Sequence, residues 1–295
     1  MTSGNMNLSR REALAAVGAV ALSCQTGFCA RGAAPESKSP GGIALQMYTL
    51  RDPAKKDLAD TLKKVRAMGW EYVQWSGMPN LPAEEIRKAL DAAGLKAIAV
   101  HTGMEAFETK FDEEVRFWKT VGVQDVAPGG MMKDCKATLE DWLKGAKRLD
   151  AIGAKLRAVG MRLSYHNHSF EFEKFPGDPR AKLDILMEAT KPENLCAEFD
   201  TAWVFHAGAD PAAYIRKYKN RCPIIHVKDL VPTNEGKKYQ FKPLGQGALD
   251  WKAIFAAGRS SGVEWYVYEQ DGGEGSPFDY AQASYEFLSK NAPPR

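Results

Sequence analysis

The sequence predicts a single (β/α)8 barrel of the α/β class, preceded by a separate N-terminal segment. Three observations lead there. From Gly42 onward, short apolar runs recur at roughly the 30-residue spacing of a βα unit. Stretches with helical spacing of apolar residues lie between those runs. The first run is followed by "TLRDPAKKD", where the alternative fold, a doubly wound sheet, would carry a Gly-rich phosphate loop. With 44% hydrophobic and 26% charged residues over a length of 295, the chain has the composition to bury one large core.

Residues 1–34 read as a twin-arginine export signal. "LSRREALAAVGAVALSC" sets Arg10 and Arg11 before a short apolar run, Ala13 to Leu22, too short and too Ala-rich to span a bilayer. Cleavage is expected near Gly32 to Ala34, with Cys24 in "ALSC" as the alternative, a lipid-anchor site. The expected localisation is periplasmic, with no stable membrane insertion. "PESKSPGG" (35–42) is a polar linker, and residues 43–292 form the barrel domain.

The strand candidates follow in order: "IALQMYT" (43–49), "YVQW" (72–75), "KAIAVH" (96–101), "DVAP" (125–128), "RLSYHNH" (162–168), "LCAEFD" (195–200), "IIHVKD" (224–229) and "WYVYEQ" (265–270). Among the helices, "AEEIRKALDAAG" stops at Gly94, and "LEDWLKGAKRLDAIGAKLRAVG" stops at Gly160, just before the fifth strand. "PNLP" (79–82) and "PGDP" (176–179) are loops.

Charge excludes one class of partner. Residues 1–42 hold four basic and two acidic residues; taking these from totals of 40 and 37 leaves 36 against 35, a net of +1. A near-neutral body lacks the electrostatic footprint of a nucleic-acid binder. Cys135, Cys196 and Cys222 match no zinc spacing and are read as buried free thiols.

The polar residues cluster at the C-terminal ends of the predicted strands, where barrels of this kind place their active sites. His101 ends the third strand, His166 and His168 end the fifth, His206 follows the sixth and His226 lies in the seventh. Glu198 and Asp200 close the sixth, Asp229 the seventh, and Glu269 and Asp271 the eighth. Strand residues two apart share a face, so Glu198 with Asp200, His226 with Lys228, and Glu269 with Asp271 each point one way. Imidazole mixed with carboxylate, without thiolate, suits a divalent Mn, Co, Zn or Fe ion. Burying several unpaired charges there without a cation would be costly.

The motifs "YHNHSFEF", "EFDTAWVFHAGADP", "KYKNRCPIIHVKDL", "PLGQGALDW" and "YVYEQD" resemble the sugar phosphate isomerase/epimerase family of xylose isomerase-like barrels, across about residues 43–290. The resemblance implies one divalent metal, held by a Glu, an Asp, a His and a Glu on strands five to eight. Asp200, His226 and Glu269 match three of these positions. At the fourth, His166 stands where the family carries Glu; either His166 serves, or Glu171 reaches back from the next loop. The implied activity is isomerisation or epimerisation of a free sugar or keto-sugar through an enediolate. His168 or Glu171 would take the proton, Glu269 would return it, and Lys228 would stabilise the oxyanion. Gln46, His101 and Trp203 are candidates for holding hydroxyls or stacking on the sugar. The same intermediate can instead expel a β-leaving group, as in cleavage of a 3-keto-glycoside. A sugar-binding barrel without catalysis is the remaining alternative, and the oligomeric state is unassigned.

Overall fold

The computed structural model describes residue 1, residues 42–233 and residues 238–293. The export-signal reading of residues 1–34, Cys24 included, and nearly all of the linker lie outside the described residues.

Eight parallel strands close into a barrel. They are β1 (Gly42–Gln46), β2 (Tyr72–Trp75), β3 (Lys96–His101), β4 (Asp125–Ala127), β5 (Arg162–His166), β6 (Cys196–Asp200), β7 (Ile224–Val227) and β10 (Trp265–Tyr268). β1 pairs with both β2 and β10, which leaves no edge strand in the barrel. All eight expected strands are present, several of them shorter at the C-terminal end. β1 gives way at Met47 to a 3-10 turn (Met47–Leu50), and β5 stops at His166, so His168 sits on the following loop. Past Val227 the chain leaves the barrel: β8 (Asp229–Pro232) pairs antiparallel with β9 (Tyr239–Lys242). This hairpin was not expected from the sequence.

Helices wrap the outside and carry the caps that their sequences offer. Thr138 opens the Leu139–Ala158 helix through a capping box with Asp141. Gly94 closes the Ala83–Ala93 helix at φ 71°, a conformation that favours glycine.

Register explains why the chemistry gathers at one end. Along several strands the residues two apart run from apolar to polar: Ala44 to Gln46, Tyr72 to Gln74, Ile224 to His226 and Lys228, Val267 to Glu269. The lower members, with Ile98 and Trp265, form an apolar cluster separate from the main core. The upper members are polar and buried. Their alternates, such as Phe199 and Ile225, belong to the larger core cluster that also holds helix residues. The barrel is thus an apolar plug capped by a polar layer at the C-terminal ends of its strands.

Candidate metal centre and cleft

The polar layer centres on two sets of donor atoms, each within 4.8 Å of one another: His166, Asp200, His226 and Glu269, and His101, His166, Glu198 and His226. Pairing brings them together. His166 lies beside Glu198 across β5 and β6, and Asp200 lies beside His226 across β6 and β7. The Asn167 side chain accepts from the Asp200 N–H at 3.1 Å and ties the two strand ends together.

Asp200 divides its oxygens. Oδ1 accepts from the Trp203 N–H at 3.0 Å and caps the Thr201–His206 helix, while Oδ2 lies 2.9 Å from Lys228 Nζ. Lys228 is buried, and its ammonium also meets Glu269 Oε2 at 2.9 Å and Asp271 Oδ2 at 3.0 Å. Burial pulls the Lys228 ammonium down, but Asp200, Glu269 and Asp271 outweigh it and hold its pKa well above the usual value. For Glu269 burial acts upward, and the charges on Lys228 and His226 more than offset it.

His226 faces carboxylates on both sides. Nδ1 is 2.9 Å from Glu269 Oε2, and Nε2 is 2.8 Å from Glu198 Oε1. Burial disfavours its charged form, yet those two carboxylates push its pKa to about 10. For His166, burial and the neighbouring His226 charge outweigh Glu198, 3.5 Å from its Nδ1, and take its pKa well below the usual range. Its Nδ1 is buried without a hydrogen-bond partner.

These residues fit a divalent cation. Oxygen and imidazole donors converge, one buried imidazole nitrogen lacks a partner, and a cation would balance the carboxylates. Glu171 belongs to neither set. It is fully buried, its oxygens accept from the Tyr165 hydroxyl and the His168 N–H at 2.8 Å each, and burial raises its carboxyl to about 7. Of the two strand-five alternatives, only His166 stands among the donors.

Above the donors opens a cleft of about 340 Å³, lined by Tyr48, Ser76, His101, Gly129, His166, His168, Lys228, Glu269 and Asp271. That is the low end of the range for small-molecule sites. His168 lines it with Nδ1 unpartnered, and burial followed by the Lys228 charge lowers its pKa to about 4. Glu171 is not among the residues that line this cleft; its carboxylate braces the His168 backbone. Gln46 is fully buried and does not line the cleft; its Nε2 is 3.5 Å from Nδ1 of the cleft-lining His101. Trp203 forms an aromatic wall with His168, Tyr239 and Phe241, at ring separations of 5.8, 5.3 and 5.7 Å. His206 packs on Tyr239, away from the donors.

Two buried residues of this centre carry no expected role in the sequence reading. Gln74 donates to both Glu198 oxygens at 3.1 Å and sets its carbonyl 2.6 Å from His226 Nε2. Glu198 is the hub between His101 and His226; burial pushes its carboxyl up, and the charges on those imidazoles bring it well below the ordinary value. The available signal was a lone polar residue inside the apolar run "YVQW" and the alternating acids of "AEFD".

Comparison with known proteins fits this arrangement. A family model described as xylose isomerase-like TIM barrel matches residues 62–291. An inosose dehydratase of Lacticaseibacillus casei is 28% identical over 167 residues, which cover 51% of this chain and 55% of that protein. The chain therefore spans about half the length of the curated relatives it matches. A sugar phosphate isomerase/epimerase from Parabacteroides distasonis superposes with a TM-score of 0.70 at 21% identity, over 85% of this chain and 98% of that one. The IolI protein, solved with a bound zinc atom, gives 0.63 at 16% identity, over 85% and 99%.

Proposed function

The chain belongs to the xylose isomerase-like TIM-barrel family, and from that premise we propose that it is a divalent-metal-dependent enzyme that removes the proton next to the carbonyl of a keto-sugar or keto-polyol. The observation that carries this reading is the convergence of His166, Asp200, His226 and Glu269 beneath a cleft that also exposes a buried ammonium. A bound ion would supply Lewis acidity toward the substrate carbonyl. Mn²⁺, Co²⁺, Zn²⁺ and Fe²⁺ all suit the mixed donors.

The chain's own residues supply the rest. His168, on the cleft wall with an unpartnered nitrogen, takes the proton. Lys228, fixed by its carboxylates, faces the developing enolate oxygen. Trp203 and its aromatic neighbours offer an apolar face to the sugar ring. As the C–H bond breaks, its electron pair forms the C=C bond of the enolate.

We favour β-elimination as the next step. A lone pair on the enolate oxygen re-forms the carbonyl, the former enolate C=C pair becomes a new double bond between the α- and β-carbons, and the bond to the β-oxygen breaks; that oxygen takes the proton held by His168 and leaves as water or an alcohol. Support comes from the inosose dehydratase relatives and from His168 being the one cleft-lining imidazole outside both donor sets. The second reading is isomerisation or epimerisation, favoured by Glu269 and Asp271 lining the same cleft as additional proton carriers. The proposal includes export to the periplasm by the twin-arginine segment.

The test is to incubate keto-sugars and keto-glycosides in D2O with Mn²⁺ or Co²⁺. Leaving-group release identifies elimination, and deuterium in recovered sugar identifies isomerisation. His226→Ala and Glu269→Gln are expected to abolish turnover with the fold retained by circular dichroism. Full activity in both would refute the site.

A further inference from the structure

We propose that the barrel contains a second, deeper cation position, built by His101, His166, Glu198 and His226 and suited to a nitrogen-preferring ion such as Zn²⁺ or Co²⁺. This rests on the reading that a divalent ion works in the cleft, and it adds a place, one residue pair further down the barrel, where such an ion is held.

Three imidazoles crowd one carboxylate. The rings of His101, His166 and His226 lie 4.4–5.2 Å apart. Glu198 Oε1 is in contact with His101 Nε2, is 2.8 Å from His226 Nε2 and is 3.5 Å from His166 Nδ1. Two of these nitrogens are hydrogen-bonded to the oxygen or its amide neighbour. The third, His166 Nδ1, has no hydrogen bond although its residue is only 3% exposed. A cation among the four atoms turns each of them into a ligand and leaves none unpaired.

The surroundings are arranged as an outer shell would be. Histidines that bind metal hydrogen-bond through their other nitrogen. Here His101 Nδ1 has Gln46 at 3.5 Å and His226 Nδ1 has Glu269 at 2.9 Å. The Gln74 amide holds both Glu198 oxygens. His226 thus turns Nε2 to the deep set and Nδ1 toward Glu269 of the shallow one. Whichever set binds, a carboxylate of the other orients the ring. The deep set offers three nitrogens and one oxygen, and the shallow set two of each. Zn²⁺ and Co²⁺ therefore prefer the deep set, and Mn²⁺ the shallow one.

The experiment is calorimetric titration of the metal-stripped full chain with Zn²⁺, Co²⁺ and Mn²⁺, with the visible absorption of Co²⁺ recorded in parallel. His101→Ala should weaken Zn²⁺ and Co²⁺ binding by more than the roughly 100-fold that is the upper cost of losing an outer-shell partner. It should also shift the Co²⁺ bands and leave Mn²⁺ affinity within about tenfold. Asp200→Asn should do the reverse. The deep position is overturned if His101→Ala leaves Zn²⁺ and Co²⁺ binding within about tenfold. It is equally overturned if Asp200→Asn and His101→Ala abolish Zn²⁺ binding alike, which would mean one composite site. His101→Gln, checked by circular dichroism, replaces the alanine variant if that one does not fold. These readouts are independent of turnover: a missing deep position leaves Mn²⁺ binding at the shallow set intact, and a failed D2O experiment leaves the binding results standing.

Discussion

Lys228 holds Asp200, Glu269 and Asp271 on one buried ammonium. Removing one partner from a buried ionic group costs about 3–5 kcal/mol because the remaining charge is left uncompensated. Lys228→Met should therefore lower stability on that order, and a divalent ion should restore part of it by binding the carboxylates that were freed. Thermal unfolding with and without Mn²⁺ checks both halves, and an unchanged metal-stripped Tm would refute the account. Glu171 makes the opposite kind of statement. Its folded pKa, about 7, lies above the ordinary glutamate value of 4.5, so its contribution is fully present below about pH 4.5 and is lost as pH rises to about 7. Glu171→Gln removes that dependence; its stability relative to wild type should rise between pH 4.5 and 7 by on the order of 3 kcal/mol, measured by urea unfolding. Not all of this was legible in the sequence. Asp200, His226 and Glu269 could be picked out because they stand in the motifs that resemble the family. Glu171 could not be separated from His166 by spacing, because only the fold shows its oxygens turned to Tyr165 and the His168 N–H. Gln74 was missed because one polar residue in a short strand carries no mark of which face it lies on.

At the scale of elements, the sequence located every barrel strand but ran several of them too far. Polar residues at the strand ends still alternate after β pairing has stopped, which is why "RLSYHNH" was read to His168 while β5 ends at His166. "IIHVKD" hid a change of direction: Asp229 opens the hairpin instead of closing β7. Its carboxylate is fully buried and accepts from the N–H groups of Leu230, Gly245, Gly247 and Leu249 and from Trp251 Nε1, at 2.8–3.3 Å. A side chain at Gly247 would put its Cβ 2.0 Å from Asp229 Oδ1, so glycine is required for this approach. The motif "PLGQGALDW" is thus a loop wrapped round one carboxylate, and Asp229, grouped with the rim acids by sequence, serves as its anchor. Asp229→Ala leaves those donors without their acceptor and should destabilise by about 3 kcal/mol. Because Asp229 is in neither donor set, Mn²⁺ affinity should hold. A stability within about 0.5 kcal/mol of wild type, the usual range for a surface change, would refute the anchor.

Across the whole molecule, the two ends of the barrel do different work. The C-terminal ends of the strands carry the donors and the cleft. At the N-terminal ends, Arg162 at the start of β5 grips Asp125 at the start of β4 and Glu264 just before β10. Its guanidinium meets Glu264 at 2.9 and 3.0 Å in a two-pronged pair, which gives geometry as well as attraction. Asp125 is buried; burial pushes its carboxyl up, and the Arg162 charge works against that. Asp125 and Arg162 are paired neighbours on β4 and β5, and Glu264 precedes β10, which is not adjacent to either, so the Arg162–Glu264 pair ties the floor of the barrel across its interior. Between floor and site lies the apolar cluster of Ala44, Tyr72, Ile98, Ile224, Trp265 and Val267. Apart from the Tyr72 hydroxyl and the Trp265 indole N–H its members are apolar, so the cluster itself holds no carboxylate, imidazole or ammonium. In barrels of this kind, stability and chemistry are separable by end. Arg162→Met should therefore cost about 3 kcal/mol by leaving the Asp125 carboxyl buried and unpaired. At a temperature where the variant stays folded, kcat and metal affinity should match wild type. The loss should also be largest at neutral pH and shrink in acid, where Asp125 protonates and no longer needs the guanidinium. Urea unfolding at two pH values, set beside metal titration of the same protein, measures both ends at once. A fall in metal affinity parallel to the fall in stability would show that the floor and the site are coupled, against the separation argued here.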